Sequence, residues 1–229
     1  MNSKPIIVSI IVVIFSFIAI LMLSSDETID PAVDSQPKEE IDTSSMSLDD
    51  TNCNADQTFI EIDLSGVELS GCNLSYVVID KTNLSGAFMS DSDLTGAQIY
   101  NSNLSGVDLS NALIGGSLVS NSLLSDSNLE NVNLSGSILS GIDLSNSNMQ
   151  NADLRGIDLS GANLDGAILV GSDVRGSDMR GTSLVNSNLS ESNLTGADLS
   201  GANLQGALLD GADLTGAVLY CLNNPVCVT

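Results

Sequence analysis

The sequence contains no histidine and no tryptophan, only 3 Tyr and 4 Phe, and 6 Lys+Arg against 29 Asp+Glu. Each shortage removes a class of function. Without His there is no imidazole metal ligand, no Ser-His or Cys-His pair and no ready switch near neutral pH. A formal net charge of -23 repels phosphate backbones, so ordinary nucleic-acid binding, which rests on Lys and Arg, is not expected. With 3% aromatic residues an aromatic-rich core is out of reach, yet 42% of the 229 residues are hydrophobic. Burial must therefore fall to Leu and to small side chains, which points to a repetitive interior.

Pro5 to Leu23 form an almost unbroken apolar run, preceded by Lys4 and followed by Ser24, Ser25, Asp26 and Glu27. As a helix it would span ~28 Å, close to the ~30 Å hydrocarbon core of a bilayer. Lys before the run and acids after it orient the N-terminus inside and the rest of the chain outside. The expectation is a signal anchor over residues 1–23, a transmembrane helix that attaches the protein to a membrane through residues 5–23 and leaves it on the extracytoplasmic side. A cleaved signal peptide, which would leave a secreted protein, is the competing reading. Residues 24–56 hold ten acids against Lys38, with Pro31 and Pro37 between them. That composition reads as a disordered, self-repelling linker.

From Gln57 a five-residue period begins. Every fifth residue from Phe59 through Leu64, Leu69 and Leu74 to Leu219 is apolar, at all 33 positions. Two residues before each, the side chain is nearly always small or β-branched. Two residues after each, 28 of the 33 positions are Gly, Asn or Asp, including every Gly in the protein except Gly115. Gly, Asn and Asp tolerate positive φ, which the third residue of a type II turn requires. One such turn every five residues makes each unit a short extended side and a corner. A period of five fits neither the 3.6 of a helix nor the alternation of a flat strand. The chain is expected to coil, with successive coils bonded in parallel ~4.8 Å apart. Leu and the small residue then face inward, and the other three positions face solvent.

The number of sides also leaves a trace. The residue before each inward Leu is Asn or Asp at 13 of 16 positions in one alternating set (Asp63, Asn73, Asn83 and onward) and at only 7 of 17 in the other (Thr58, Glu68, Val78 and onward). A ten-residue superperiod requires an even number of sides, and four is the smallest even number that encloses an interior. Four sides give twenty residues per coil, about eight coils and a rod of ~40 Å.

These units resemble those of the pentapeptide-repeat proteins, which read A-(D/N)-L-x-x. The stretch TGADLSGANLQGALLDGADLTGAVL, residues 195–219, carries the likeness most plainly, and it extends over residues 57–219. The resemblance implies a right-handed quadrilateral parallel β-helix. Family members that act on topoisomerases often carry projecting loops, whereas the register here runs without an insertion. An all-β solenoid is thus expected over residues 57–221, with a C-terminal cap over 222–229.

Cys53 and Cys72 are 19 residues apart, almost one coil, and Cys221 and Cys227 flank the turn-rich Asn223, Asn224 and Pro225. Two disulfides, one fastening each end, suit a secreted solenoid with open edges. The alternative leaves Cys72 as a small inward residue and Cys53 free. Neither spacing gathers four metal ligands.

Two surface features are candidates for binding. Ser65, Ser85, Ser105, Ser125 and Ser145 stack at twenty-residue intervals into a hydroxyl column suited to ice or a polysaccharide. The bland reading is that Ser is a common solvent-facing turn residue. Arg155 and Arg175 stack one coil apart with Arg180 at the next corner, beside Asp153, Asp173 and Asp178. They read either as neutralisers of the stacked aspartates or as an anion or partner site. The Asn-Leu-Ser/Thr triplets, such as that at Asn73, match glycosylation sequons but are automatic products of the repeat.

The solenoid's charge amounts to about one per ~2.7 Å against one per ~1.7 Å in duplex DNA, so a DNA mimic that inhibits a topoisomerase is electrostatically conceivable. No Walker loop, G-x-S-x-G elbow or H-E-x-x-H helix is present, and carboxylates pair only as surface ladders. No enzymatic activity, cofactor or metal is expected. The sequence thus points to a membrane-anchored extracytoplasmic rod that binds or spaces an unidentified protein or envelope partner, with a solenoid end as one route to a homodimer. A DNA mimic and an ice- or carbohydrate-binding surface are the alternatives.

Overall fold

The computed structural model describes Cys53, Ala55 and residues 57–227. The expected membrane helix, nearly all of the acidic linker and the last two residues of the cap lie outside the described residues. Among the described residues no helix is long and apolar enough to cross a membrane.

The described chain is an all-β solenoid of parallel coils. Bridges join each side to the residue twenty positions on, from Asp63 to Asn83 through to Asp198 and Val218, and the register shortens to 19 only at the last, Asn203 to Leu222. Five-residue sides and a twenty-residue register give four sides per coil. The winding follows from the corners. Of the 33 positions two residues after the inward apolar residue, 32 have positive φ, and Cys221 is the exception. Glu61, Tyr76, Lys81 and Glu191 adopt the same left-handed conformation as the glycines, so the fold imposes the corner even where the side chain does not favour it.

Most corners close as expected. The Val67 amide donates to the Leu64 carbonyl at 3.2 Å and the Ala87 amide to the Leu84 carbonyl at 3.0 Å. One side departs from the expected uniform turn. It carries the longer strands β1 (Thr58–Ile60), β2 (Val78–Asp80), β3 (Gln98–Tyr100) and β4 (Leu118–Ser120), paired in parallel in that order. At the corners after β2 and β3 the Thr82 and Ser102 amides donate to the Ser102 and Ser122 hydroxyls of the following coil, each at 3.1 Å. The corner residues Lys81, Asn101 and Asn121 have φ of 50 to 51°, lower than at any glycine corner. A wider corner takes the amide away from its turn carbonyl, and a buried amide needs another acceptor. The Ser102 and Ser122 hydroxyls are those acceptors inside the wall, while the Thr82 hydroxyl donates to the Phe59 carbonyl. From Leu139 the tight turn returns, with Ile142 in the same slot.

The bore is filled by the inward residues. Leu74, Ile79, Leu84, Met89, Leu129 and Leu154 are fully enclosed, and Ala87, Ala97 and Val107 fill the slots beside the corners. Twelve of the thirteen buried Ser and Thr of these slots bond to backbone or to one another, and the Ser177 hydroxyl is the single buried side-chain polar atom without a partner among the described residues. Cys53 is joined to Cys72 and Cys221 to Cys227, with Cα separations of 5.1 and 4.9 Å. At the C-terminal end Asn224 donates to the carbonyls of Leu204 and Ala207, and Val226 packs against the core. Leu209, Leu214 and Leu219 remain only partly covered there.

Candidate functional site

Each outward side chain takes its direction from its slot. The residues just before and just after an inward Leu project from the same side, and twenty-residue stacking lines each slot into a column. An Asn or Asp before the Leu uses this arrangement locally. Its side-chain oxygen accepts the amide two residues on, as Asp63 does from Ser65 at 3.0 Å and Asn133 from Ser135 at 3.0 Å. It also bonds between coils, Asn83 donating to Asp63 at 3.0 Å and Asn128 to Asp108 at 3.0 Å.

The serine column is less free than its spacing implies. Ser65 is exposed, while Ser85, Ser105, Ser125 and Ser145 are half-buried. The amides of Ser85 and Ser145 are bound by Asn83 and Asp143, and the Ser105 hydroxyl donates to Asn103 at 2.7 Å. Ser125 lacks this partner because Leu123 replaces the Asn. Beyond Ser145 the column continues as Asp165, Val185 and Gln205, so the hydroxyl array ends after five rungs.

Arg155, Arg175 and Arg180 each follow an Asp by two residues. Their Nε atoms donate to Asp153, Asp173 and Asp178 at 2.7, 2.7 and 2.8 Å. Arg155 Nε also lies 3.8 Å from Asp173 of the next coil. The guanidinium hydrogen bonds hold the carboxyls of Asp153, Asp173 and Asp178 below their ordinary 3.8, against partial desolvation. The arginines are thus engaged with acids of their own sides. Lys81 bonds Glu61 at 2.9 Å across one coil, which raises its pKa.

Sequence reading missed a column on the β1–β4 side. In the slot before the inward residue, the register stacks Val78, Gln98 and Leu118, then Ile138, then Asp158, Asp178 and Asp198. Ile138 is 47% exposed, and Leu113 and Leu123 of the two neighbouring sides are each 48% exposed. Gln98 interrupts the apolar part, but its Oε1 accepts the Tyr100 hydroxyl at 2.9 Å. The signal was legible as the places where Asn or Asp fails before the Leu. A shallow hollow lined by Cys53, Ser70, Gly71, Cys72 and Asn73 lies over the first disulfide. No cluster of three or more Cys, Asp or Glu able to hold a metal occurs among the described residues.

The geometry agrees with comparison to known proteins. The family described as Pentapeptide repeats matches in 8 copies, over residues 58–91, 72–111, 122–161, 157–196 and 197–223. The chain belongs to the pentapeptide-repeat family. Among solved structures it is similar to HetL, a pentapeptide-repeat protein involved in heterocyst differentiation regulation in the cyanobacterium Nostoc sp. strain PCC 7120. The two share 27% identity at a TM-score of 0.58, over 76% of this chain and 90% of HetL. A pentapeptide-repeat protein of the Arabidopsis thaliana thylakoid lumen is 31% identical over 45% of this chain and 66% of its own, at a TM-score of 0.34. QnrB1, a plasmid-mediated fluoroquinolone resistance protein, is 18% identical over 72% of this chain and 92% of its own, at a TM-score of 0.39. No curated protein matches the sequence.

Proposed function

We propose that this pentapeptide-repeat chain is a non-enzymatic scaffold, anchored through residues 5–23 and facing the extracytoplasmic side, whose solenoid presents fixed side-chain columns to a protein or envelope partner. The twenty-residue register, held from Asp63 to Val218, carries this reading. It places every outward residue at a constant spacing on a wall that binding need not reorganise. The two disulfides at the ends support an oxidising compartment. The partly covered Leu209, Leu214 and Leu219 make the C-terminal end the place where a homodimer would form.

Cell fractionation with protease shaving tests the placement. The expected result is a membrane-bound protein digested from outside. A cytoplasmic, protease-protected protein would sink it.

A topoisomerase-inhibiting DNA mimic is the second reading, favoured by the stacked Asp158, Asp178 and Asp198. Against it stand the Arg180 pairing within that column and the spread of acids over all four sides. Inhibition of gyrase supercoiling by the purified protein would support it over the scaffold.

A further inference from the structure

The side that carries β1–β4 divides along its length by chemistry. Val78 and Leu118, both half-buried, and the exposed Ile138 occupy the outward column of the first half. In the flanking column Ile60 and Tyr100 alternate with Asp80, which accepts from Asn101, and with Ser120, while Gln98 is occupied by the Tyr100 hydroxyl. One step later the same column turns acidic through Asp158, Asp178 and Asp198, of which Asp178 is bonded to Arg180 on the same side, and it ends at Val218. Elsewhere this slot is mostly Asn or Asp, and although Phe88, Ile168 and Leu208 interrupt one other column, there they stand on separate coils, whereas Leu118 and Ile138 stack directly on one another before the acidic run. We infer that this side is a docking face for a single amphipathic α-helix of a partner protein, apolar along one half of its contact stripe and rich in Lys and Arg along the other.

Dimensions favour one helix over a second copy of the chain. A three-residue strand is ~10 Å long, so the side is about as wide as a helix of ~10–12 Å diameter. Six coil steps from Val78 to Asp198 cover ~29 Å at ~4.8 Å each, the length of ~19 helical residues at 1.5 Å. The apolar half measures roughly 14 Å by 10 Å, far below the ~800 Å² that each partner of a stable dimer buries. Charge sets the direction. Asp158 and Asp198 each use one oxygen on the backbone amide two residues on, of Ser160 and Ser200, which leaves the other oxygen for a cation. A helix laid the opposite way would set its basic residues against Leu118 and Ile138. Apolar contact supplies affinity, and the aspartates fix orientation and speed encounter.

This inference rests on the scaffold reading and specifies its partner. Selection of a displayed library of 19-residue helical peptides on the full-length protein, solubilised in detergent, tests it. The expected winners carry apolar residues at helical spacing in one half and Lys or Arg in the other. The Leu118→Asn, Ile138→Asn double variant keeps a residue the repeat itself uses in that slot, and should weaken binding at least tenfold with an unchanged melting temperature. The Asp158→Asn, Asp198→Asn variant, which leaves the Asp178–Arg180 pair in place, should weaken it severalfold at low salt and little at high salt. Absence of winners, or winners that bind both variants as tightly as the parent, overturns the docking face. So does a dimer in sedimentation that the apolar double variant abolishes, which would assign the side to self-association. A cytoplasmic location would instead remove the outward-facing scaffold while leaving the peptide result standing.

Discussion

At the residue scale, the wide corners make Ser102 unlike most inward serines. Its hydroxyl accepts the Thr82 amide at 3.1 Å and donates to the Tyr100 carbonyl at 2.6 Å. Ser102→Ala should strand that amide and cost ~1–3 kcal/mol. Ser172→Ala is the control, because the Ser172 amide keeps its own bond to the Leu169 carbonyl. Chemical denaturation of the two variants separates them, and equal losses would contradict the role of the Ser102 hydroxyl as acceptor. The arginine pairs have a pH signature. The folded pKa of Asp178 lies below its ordinary 3.8, and the Arg180 hydrogen bond is the largest cause. Stability from the pair is therefore present above that ordinary value and is lost as pH falls through the depressed one. Arg180→Gln should raise the Asp178 midpoint toward 3.8 in a carboxylate NMR titration, with little change in stability because the pair is exposed. A midpoint unchanged by the substitution would rule out the guanidinium as the cause.

At the element scale, most of the architecture could be read from the sequence. The inward Leu column, the Gly and Asn corners and the even number of sides each follow from one physical requirement repeated 33 times. The wide corners were hidden. Lys81 and Glu61 are poor predictors of positive φ, and a Ser that repairs an orphan amide has the same letter as a Ser that merely fills space. The apolar column on the β1–β4 side was legible but passed over. Val78, Leu118 and Ile138 are scattered at twenty and forty residues, so the failures of Asn and Asp line up only when that slot is read at the coil interval. The ends differ from the middle in having one neighbouring coil instead of two. Chain-entropy arguments assign ~3 kcal/mol to the loop closed by Cys53–Cys72 and ~2 kcal/mol to the shorter loop of Cys221–Cys227. Replacing either pair with Ser should speed hydrogen exchange in the adjoining coil and leave the central coils protected. Uniform acceleration along the solenoid would show that the bridges do more than fasten ends.

At the scale of the whole molecule, each coil is stable only against its neighbours, because one coil buries too little to offset the entropy of ordering its backbone. Leu134 lies at the centre, with 1% of its surface exposed. Leu134→Asp would set an unpaired carboxylate inside the bore and should cost more than ~4 kcal/mol, melting the coils on both sides. Circular dichroism and thermal melting report it, and a wild-type melting temperature would contradict the inward placement. Such cooperativity is what allows a wall without aromatic packing to hold its outward columns still.

The bridge interval of twenty residues has a genetic consequence. Duplicating sixty nucleotides within the repeat adds one full turn and returns every downstream column to its original bearing. Duplicating fifteen rotates everything after it by a quarter turn, so residues bred to lie beneath one another part company while the corners still fit. Such a gene can lengthen its product in whole storeys at little risk, and it can reshuffle which surface motifs are stacked by changing its length by less than a storey.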